Sequence, residues 1–203
     1  MEKHGEDPSY GIILLAAGAS RRLGRPKQLL HYQGASLLNN AFRAAQQAGT
    51  AAVVVVVGAG AETLTEELKV LGAEYVLNRQ FGEGIASSIR CGLGYLMEFH
   101  RKVDHVIIMA CDQPYVDGTH ILALINKHKA AGTKIVASFY SNRKGIPALF
   151  HRTVFPELLA LTGDRGAKGI IEKHESTAVV PFPAGAIDID TEEAYKALNN
   201  DQG

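Results

Sequence analysis

The chain has 203 residues, 46% of them hydrophobic, which is enough for one well-filled core and too few for two large domains without a visible break. Lys and Arg together number 21, as do Asp and Glu, so the averaged field is neutral and excludes a general attraction to nucleic acid or an acidic membrane surface; any anion site has to be local. Two cysteines, Cys91 and Cys111, are too few for a disulfide framework, and the polar opening MEKHGEDPSY leads into no apolar stretch of signal-peptide length, so a soluble protein of the reducing cytoplasm is expected.

Residues 11–16 are apolar on both faces, as are residues 51–57, and each run is short, which predicts strands of a parallel sheet covered on two sides. Between them Leu37, Leu38, Ala41, Phe42, Ala45 and Ala48 recur at helical spacing and stop at Gly49, completing a βαβ unit. The alternation continues with a helix at 61–70, a strand at 74–77, a helix at 84–100 carrying Ile85, Ile89, Leu93 and Leu96, and a strand at 103–109. A turn at 112–114, a helix at about 117–131 and a strand at 134–139 follow. Beyond Ser141 the rhythm changes to a short apolar piece at 146–150, a helix at 153–161, short strands at 177–182 and 186–189, and a final helix opened by Asp190 or Thr191. The expectation is an α/β, Rossmann-like, doubly wound and mostly parallel sheet with an irregular C-terminal section. In such sheets ligands bind at the carboxyl ends of strands, here after Ala16, Asn78, Met109 and Ile189.

The loop after the first strand reads Leu15-Ala16-Ala17-Gly18-Ala19-Ser20-Arg21-Arg22-Leu23-Gly24-Arg25-Pro26-Lys27. Small residues stand where backbone would approach a ligand, and four cations follow within seven positions. That is the make-up of a triphosphate cradle, with Gly18 and its neighbours exposing N–H groups and Arg22 and Lys27 reaching phosphates from the side. A strand-to-helix turn carrying solvated arginines has the same composition, and neither common nucleotide-loop pattern is present.

LAAG-x-S-x-R-x-G-x-x-K resembles the signature of the molybdopterin guanylyl- and cytidylyltransferases, whose matching motifs extend over about residues 11–195. The resemblance implies one nucleotidyltransferase domain over 1–203 with a nucleotide-diphospho-sugar transferase-like fold. Residues of about 11–140 would bind the nucleotide, and about 141–203 the acceptor, ending in the C-terminal helix. It also implies that Leu15, Ala16, Ala17, Gly18 and Ser20 hold the triphosphate while Arg22 and Lys27 neutralise the reacting phosphates.

Two acidic elements follow. The strand ending at Met109 delivers Asp112 beside a rigid Gln113-Pro114 turn, where a carboxylate either binds Mg²⁺ or caps the next turn. Period-two spacing turns Asp188 and Asp190 to one face of a strand, and Asp190 is equally placed to cap the last helix. The resemblance implies Asp112 and Asp190 as metal ligands and Asp112, Arg22 and Lys27 as the catalytic set; the form CDQP and Ala17 resemble the cytidylyl branch.

By the same resemblance Gly84, Ser87 and Ser88 read base and ribose, and Gly145, Pro147, Gly163, Asp164, Gly166 and Asp188 face the acceptor, aided by Arg165 or Lys168. A structural turn explains the GDRGA letters as well. The implied activity is Mg²⁺-dependent transfer of CMP from CTP to the phosphate of the molybdenum cofactor with release of pyrophosphate, supporting a xanthine dehydrogenase-like enzyme through transient contact with that molybdenum hydroxylase. Alternatives are another NTP, a sugar-phosphate acceptor, or a carrier that delivers the cofactor without chemistry. Neither nucleic acid nor membrane is an expected partner.

Overall fold

The computed structural model describes residues 8–20 and 22–200; Arg21 and the first seven residues of the polar opening segment, both used above, lie outside the described residues. Strand β1 (Tyr10–Ala16) leads through a small hairpin of β2 (His31–Tyr32) and β3 (Ala35–Ser36) into α1 (Leu37–Gln47) and β4 (Ala52–Val57). Then come α2 (Ala61–Val70), β5 (Glu74–Leu77), α3 (Ile85–Phe99), β6 (His105–Ala110), α4 (Gly118–Ala131) and β7 (Ile135–Tyr140). The chain closes with β8 (Arg143–His151), α5 (Phe155–Leu159), α6 (Lys168–Lys173), β9 (Ala178–Pro181) and α7 (Glu192–Asn200).

Seven strands form one sheet in the order β5-β4-β1-β6-β8-β7-β9, parallel except where β8 runs against β6 and β7. Every residue of β1 is buried, because helices cover both faces. Ile12 and Leu14 point into a layer with Leu38, Phe42 and Leu64; Ile13 and Leu15 point into the opposite one with Ile89, Leu93 and Phe150. That two-sided cover explains why β1 reads as a continuous apolar run rather than an alternating one. Helix α1 starts where the Ser36 hydroxyl accepts from Asn39 N at 2.9 Å, and α4 starts where the Asp117 carboxylate accepts from His120 N at 2.7 Å. Helix α3 crosses the sheet so closely that a Cβ on Gly92 would stand 2.6 Å from Ile13 Cγ2 and 2.8 Å from Val56 Cγ2. Only glycine permits that approach, and it brings the start of α3 over the end of β1.

Three expectations are corrected. The apolar piece at 146–150 is part of a nine-residue antiparallel strand, because Pro147 falls at the register shift between Ala137 and Ser138, where no ladder hydrogen bond is needed. The helix at 153–161 is a 3-10 turn (Arg152–Val154) followed by the shorter α5. No strand forms at 186–189: a 3-10 turn occupies Pro183–Ala186, and Ile189 N donates to Asp112 O at 2.9 Å rather than to a sheet neighbour. His105 and His120 are buried, His105 packing against the rings of Tyr10, His128 and His151.

Candidate active site

The chain leaves β1 for β4 on one side, while β6 lies on the other, so the crevice between the ends of β1 and β6 is the point where strand order reverses. A cavity of about 370 Å³ sits there, lined by Leu15, Ala16, Ala17, Gly18, Ala19 and Ser20 on one wall and by Lys27, Gln28, Phe81, Gly82, Gly84, Ile85, Ser88, Cys111, Asp112 and Asp164 on the others. Its loop is held from inside by Gln28, a buried residue whose Nε2 donates to Ala16 O at 2.8 Å and Gly18 O at 2.9 Å. The Ser20 hydroxyl accepts from Lys27 N at 3.0 Å, so one of its lone pairs already serves the loop.

The charged centre forms beside this loop. Lys27 Nζ donates to Asp112 Oδ2 at 2.5 Å and to Asp190 Oδ1 at 2.7 Å, and Arg22 Nη2 donates to Asp190 Oδ2 at 2.7 Å. The Lys27 side chain is 13% exposed and that of Asp112 20%, whereas Arg22 is 69% exposed. Burial alone would lower the pKa of Lys27, but the charges and hydrogen bonds of Asp112 and Asp190 outweigh it and hold the ammonium well above the ordinary lysine range. Partial burial pulls Asp190 the other way, yet Lys27 and Arg22 keep its carboxyl below the usual aspartate value. Asp190 is free for this because Thr191 caps the last helix, its hydroxyl accepting from Ala194 N at 3.2 Å. Arg25 ties the loop to the same helix, with Nη2 2.9 Å from Glu192 Oε2.

Asp188 keeps a solvent-accessible edge, but desolvation, then the charges of Asp112 and Asp190, push its carboxyl up to about 6. Burial raises the Cys111 thiol to about 12, so at neutral pH it is an uncharged part of the cavity wall. Among the described residues no group of three or more His, Cys, Asp and Glu side chains is disposed to hold a metal ion. The Asp112 and Asp190 pair still fits Mg²⁺, since two hard oxygen ligands converge on one cation and substrate phosphates ordinarily complete that ion's shell.

The loop before α3 is shaped by Asn78, at the end of β5. Its Nδ2 donates to Ser87 Oγ at 2.8 Å and Ser88 Oγ at 3.0 Å. Ser87 Oγ in turn lies 2.9 Å from Gln80 O and 2.8 Å from Gly84 O, and the residue does not line the cavity. Of the residues expected to read base and ribose, Ser88 and Gly84 line the cavity, whereas the Ser87 hydroxyl is engaged in holding the loop. Gly84 has φ 117°, and a Cβ there would press on Asp164 Oδ1 and stand 2.5 Å from Gly163 O. Gly84→Ala is therefore expected to destabilise the protein by about 2–4 kcal/mol, from backbone strain plus overpacking, as measured by denaturant unfolding.

The expected acceptor residues separate into three sets. A second cavity of about 210 Å³ shares Leu15 and Ile85 with the first and includes Gly145 and Gly166. Ile89, Ile108 and Ile146 floor it, and Tyr140, Arg143, Lys144 and Lys168 rim it. Asp164 instead lines the first cavity, and Gly163 O accepts from Ala86 N at 3.1 Å, fastening the two loops together. Pro147 and Asp188 line neither, the Pro147 carbonyl accepting from Ser138 Oγ at 2.6 Å. Sequence reasoning missed Gln28, Asn78, Arg143 and Lys144. Asn78 alone left a signal, as a polar residue at a strand end.

A family model described as the MobA-like NTP transferase domain matches residues 12–178. The chain is 31% identical to nicotine blue oxidoreductase of Paenarthrobacter nicotinovorans, over 79% of this chain and 80% of that one. It is 24% identical to a probable molybdenum cofactor guanylyltransferase of Bacillus anthracis, over 76% and 74% of the two chains. The crystal structure of Rv0371c from Mycobacterium tuberculosis superposes with a TM-score of 0.81 at 29% identity, covering 95% of this chain and 98% of that one. Rv0371c has also been crystallised in complex with manganese, and that structure has a TM-score of 0.77 at 27% identity, covering 94% and 97%.

Proposed function

The chain belongs to the MobA-like NTP transferase family, and on that premise we propose that it is a Mg²⁺-dependent cytidylyltransferase that moves CMP from CTP to the phosphate of a molybdopterin-type acceptor. The observation that carries the reading is the Lys27 ammonium held between Asp112 and Asp190 at the mouth of a glycine-edged cavity on the switch point of the sheet. A permanent cation beside two carboxylates suits phosphoryl chemistry, where catalysis rests on positioning and charge neutralisation. The oxidoreductase activity in one relative's name belongs to that relative.

In the proposed reaction an acceptor phosphate oxygen forms a bond to the α-phosphorus while the bond to the bridging β-phosphate oxygen breaks, and pyrophosphate leaves. The attacking oxygen is already anionic near neutral pH, so no residue has to remove a proton from it. Leu15 to Ser20 would embrace the triphosphate, Lys27 would offset the charge growing around the α-phosphate, and Arg22, exposed and paired with Asp190 outside the cavity lining, would turn to receive the leaving pyrophosphate. Asp112 and Asp190 would hold Mg²⁺, which supplies further neutralisation of phosphate charge. The adjoining cavity is the proposed acceptor subsite: its aliphatic floor suits a flat apolar body, and Arg143, Lys144 and Lys168 suit an anionic group. Ala17 and the CDQP turn support CTP over GTP by family likeness. The free cysteines suit a reducing compartment, and no helix among the described residues is long and apolar enough to cross a membrane.

The test is to incubate the protein with Mg²⁺, molybdopterin with or without molybdenum, and CTP or GTP, and to identify the product by mass. A CMP adduct and pyrophosphate are expected with CTP, and little of either analogue with GTP. A GMP adduct would overturn the choice of base, and no pyrophosphate from any NTP would overturn the activity.

A further inference from the structure

Lys27 Nζ occupies the very point that a cation bound by Asp112 and Asp190 would take, 2.5 Å from an oxygen of the first and 2.7 Å from an oxygen of the second. A divalent ion coordinated at its usual 2.0–2.1 Å cannot share those oxygens with a protonated amine at hydrogen-bond distance, because the two would compete for the same lone pairs and repel each other. The lysine has somewhere else to go. It lines the nucleotide cavity, and its Cε runs 4.0 Å from where a Cβ on Gly18 would stand, alongside the glycine loop proposed to hold the triphosphate. Rotation about its side-chain bonds would carry the ammonium from the carboxylates to that loop.

We propose that Lys27 is the internal competitor of the metal: without nucleotide its ammonium bridges Asp112 and Asp190 and keeps the divalent ion out, and an arriving triphosphate draws the ammonium away and opens both carboxylates. This rests on the proposed reading of Asp112 and Asp190 as metal ligands. It makes nucleotide and metal binding mutually reinforcing, since each favours the state in which Lys27 has left the carboxylates. Arg22 does not replace the lysine as a plug, because it contacts only Asp190 within this group and lies largely in solvent.

The test is a titration of the nucleotide-free protein with Mn²⁺, counting free ion by electron paramagnetic resonance. Wild type and Lys27→Arg, which keeps the charge, are expected to bind weakly, and Lys27→Met, which keeps the length and removes the charge, at least tenfold more tightly. Circular dichroism melts check that each variant is folded, and Lys27→Met with Asp112→Asn is expected to lose the added affinity. Equal Mn²⁺ binding by wild type and Lys27→Met, lost in both on Asp112→Asn, would overturn the competition and leave the metal assignment standing. Binding that ignores Asp112→Asn, or none in any variant, would overturn both.

Discussion

Lys27→Ala is expected to lower pyrophosphate release by on the order of 10²-fold or more, with the loss in kcat rather than in the KM for nucleotide. The figure is that for removing one preorganised charge contact from a developing transition state. A contact made equally to ground and transition states would raise KM instead, so the partition between the two constants tests whether the ammonium acts on the reacting phosphate. The variant should also bind Mn²⁺ better than wild type in the absence of nucleotide while turning over worse. General damage to the site would lower both together. Full activity in Lys27→Ala would remove Lys27 from the mechanism.

Asp112→Asn is expected to reduce turnover by roughly 10²–10³-fold, since an amide of the same shape brings neither the negative charge that would hold Mg²⁺ nor the charge partner of Lys27. Lys27 keeps Asp190 at 2.7 Å in the variant, so no buried ammonium is left unpaired. Stability should fall by only about 1.5–3 kcal/mol, the scale of one charged hydrogen bond, as read from chemical denaturation. The surrounding turn does not depend on the carboxylate: Gln113 Nε2 donates to Ile146 O at 3.2 Å and Gly185 O at 3.1 Å, and Ile189 N reaches the Asp112 carbonyl. A variant that kept its melting profile and its activity would remove Asp112 from the site. If it lost both together, the activity loss would measure unfolding rather than chemistry.

Both predictions depend on segments that meet only in the folded chain. The glycine loop follows β1, Asp112 follows β6, and Asp190 comes after β9, with no sheet pairing of its own. The backbone bond from Ile189 N to Asp112 O draws the last two together, and exposed pairs from Arg22 and Arg25 tie the loop to the segment that leads into α7. Each exposed pair contributes little alone, about 0–1 kcal/mol, so it is better understood as setting the loop's position than as holding the fold.

By itself the sequence determined the parts that short-range physics encodes. The doubly buried strands are visible as apolar runs, helices α1 to α4 as periodic ones, and the phosphate loop and Asp112 as residues at strand ends where such sheets bind ligands. It left open the partner of every polar side chain with more than one available. Asp190 was placed to cap a helix or to bind a metal ion, and spacing carried no sign of its contact with Lys27, 163 residues away in the chain, or of the bond from Ser87 to the loop behind it. Tertiary structure decided both, placing Thr191 at the cap and Asn78 behind the serines. A hydrogen bond depends on distances of tenths of an ångström, which periodicity along the chain does not specify and the packing of distant elements does.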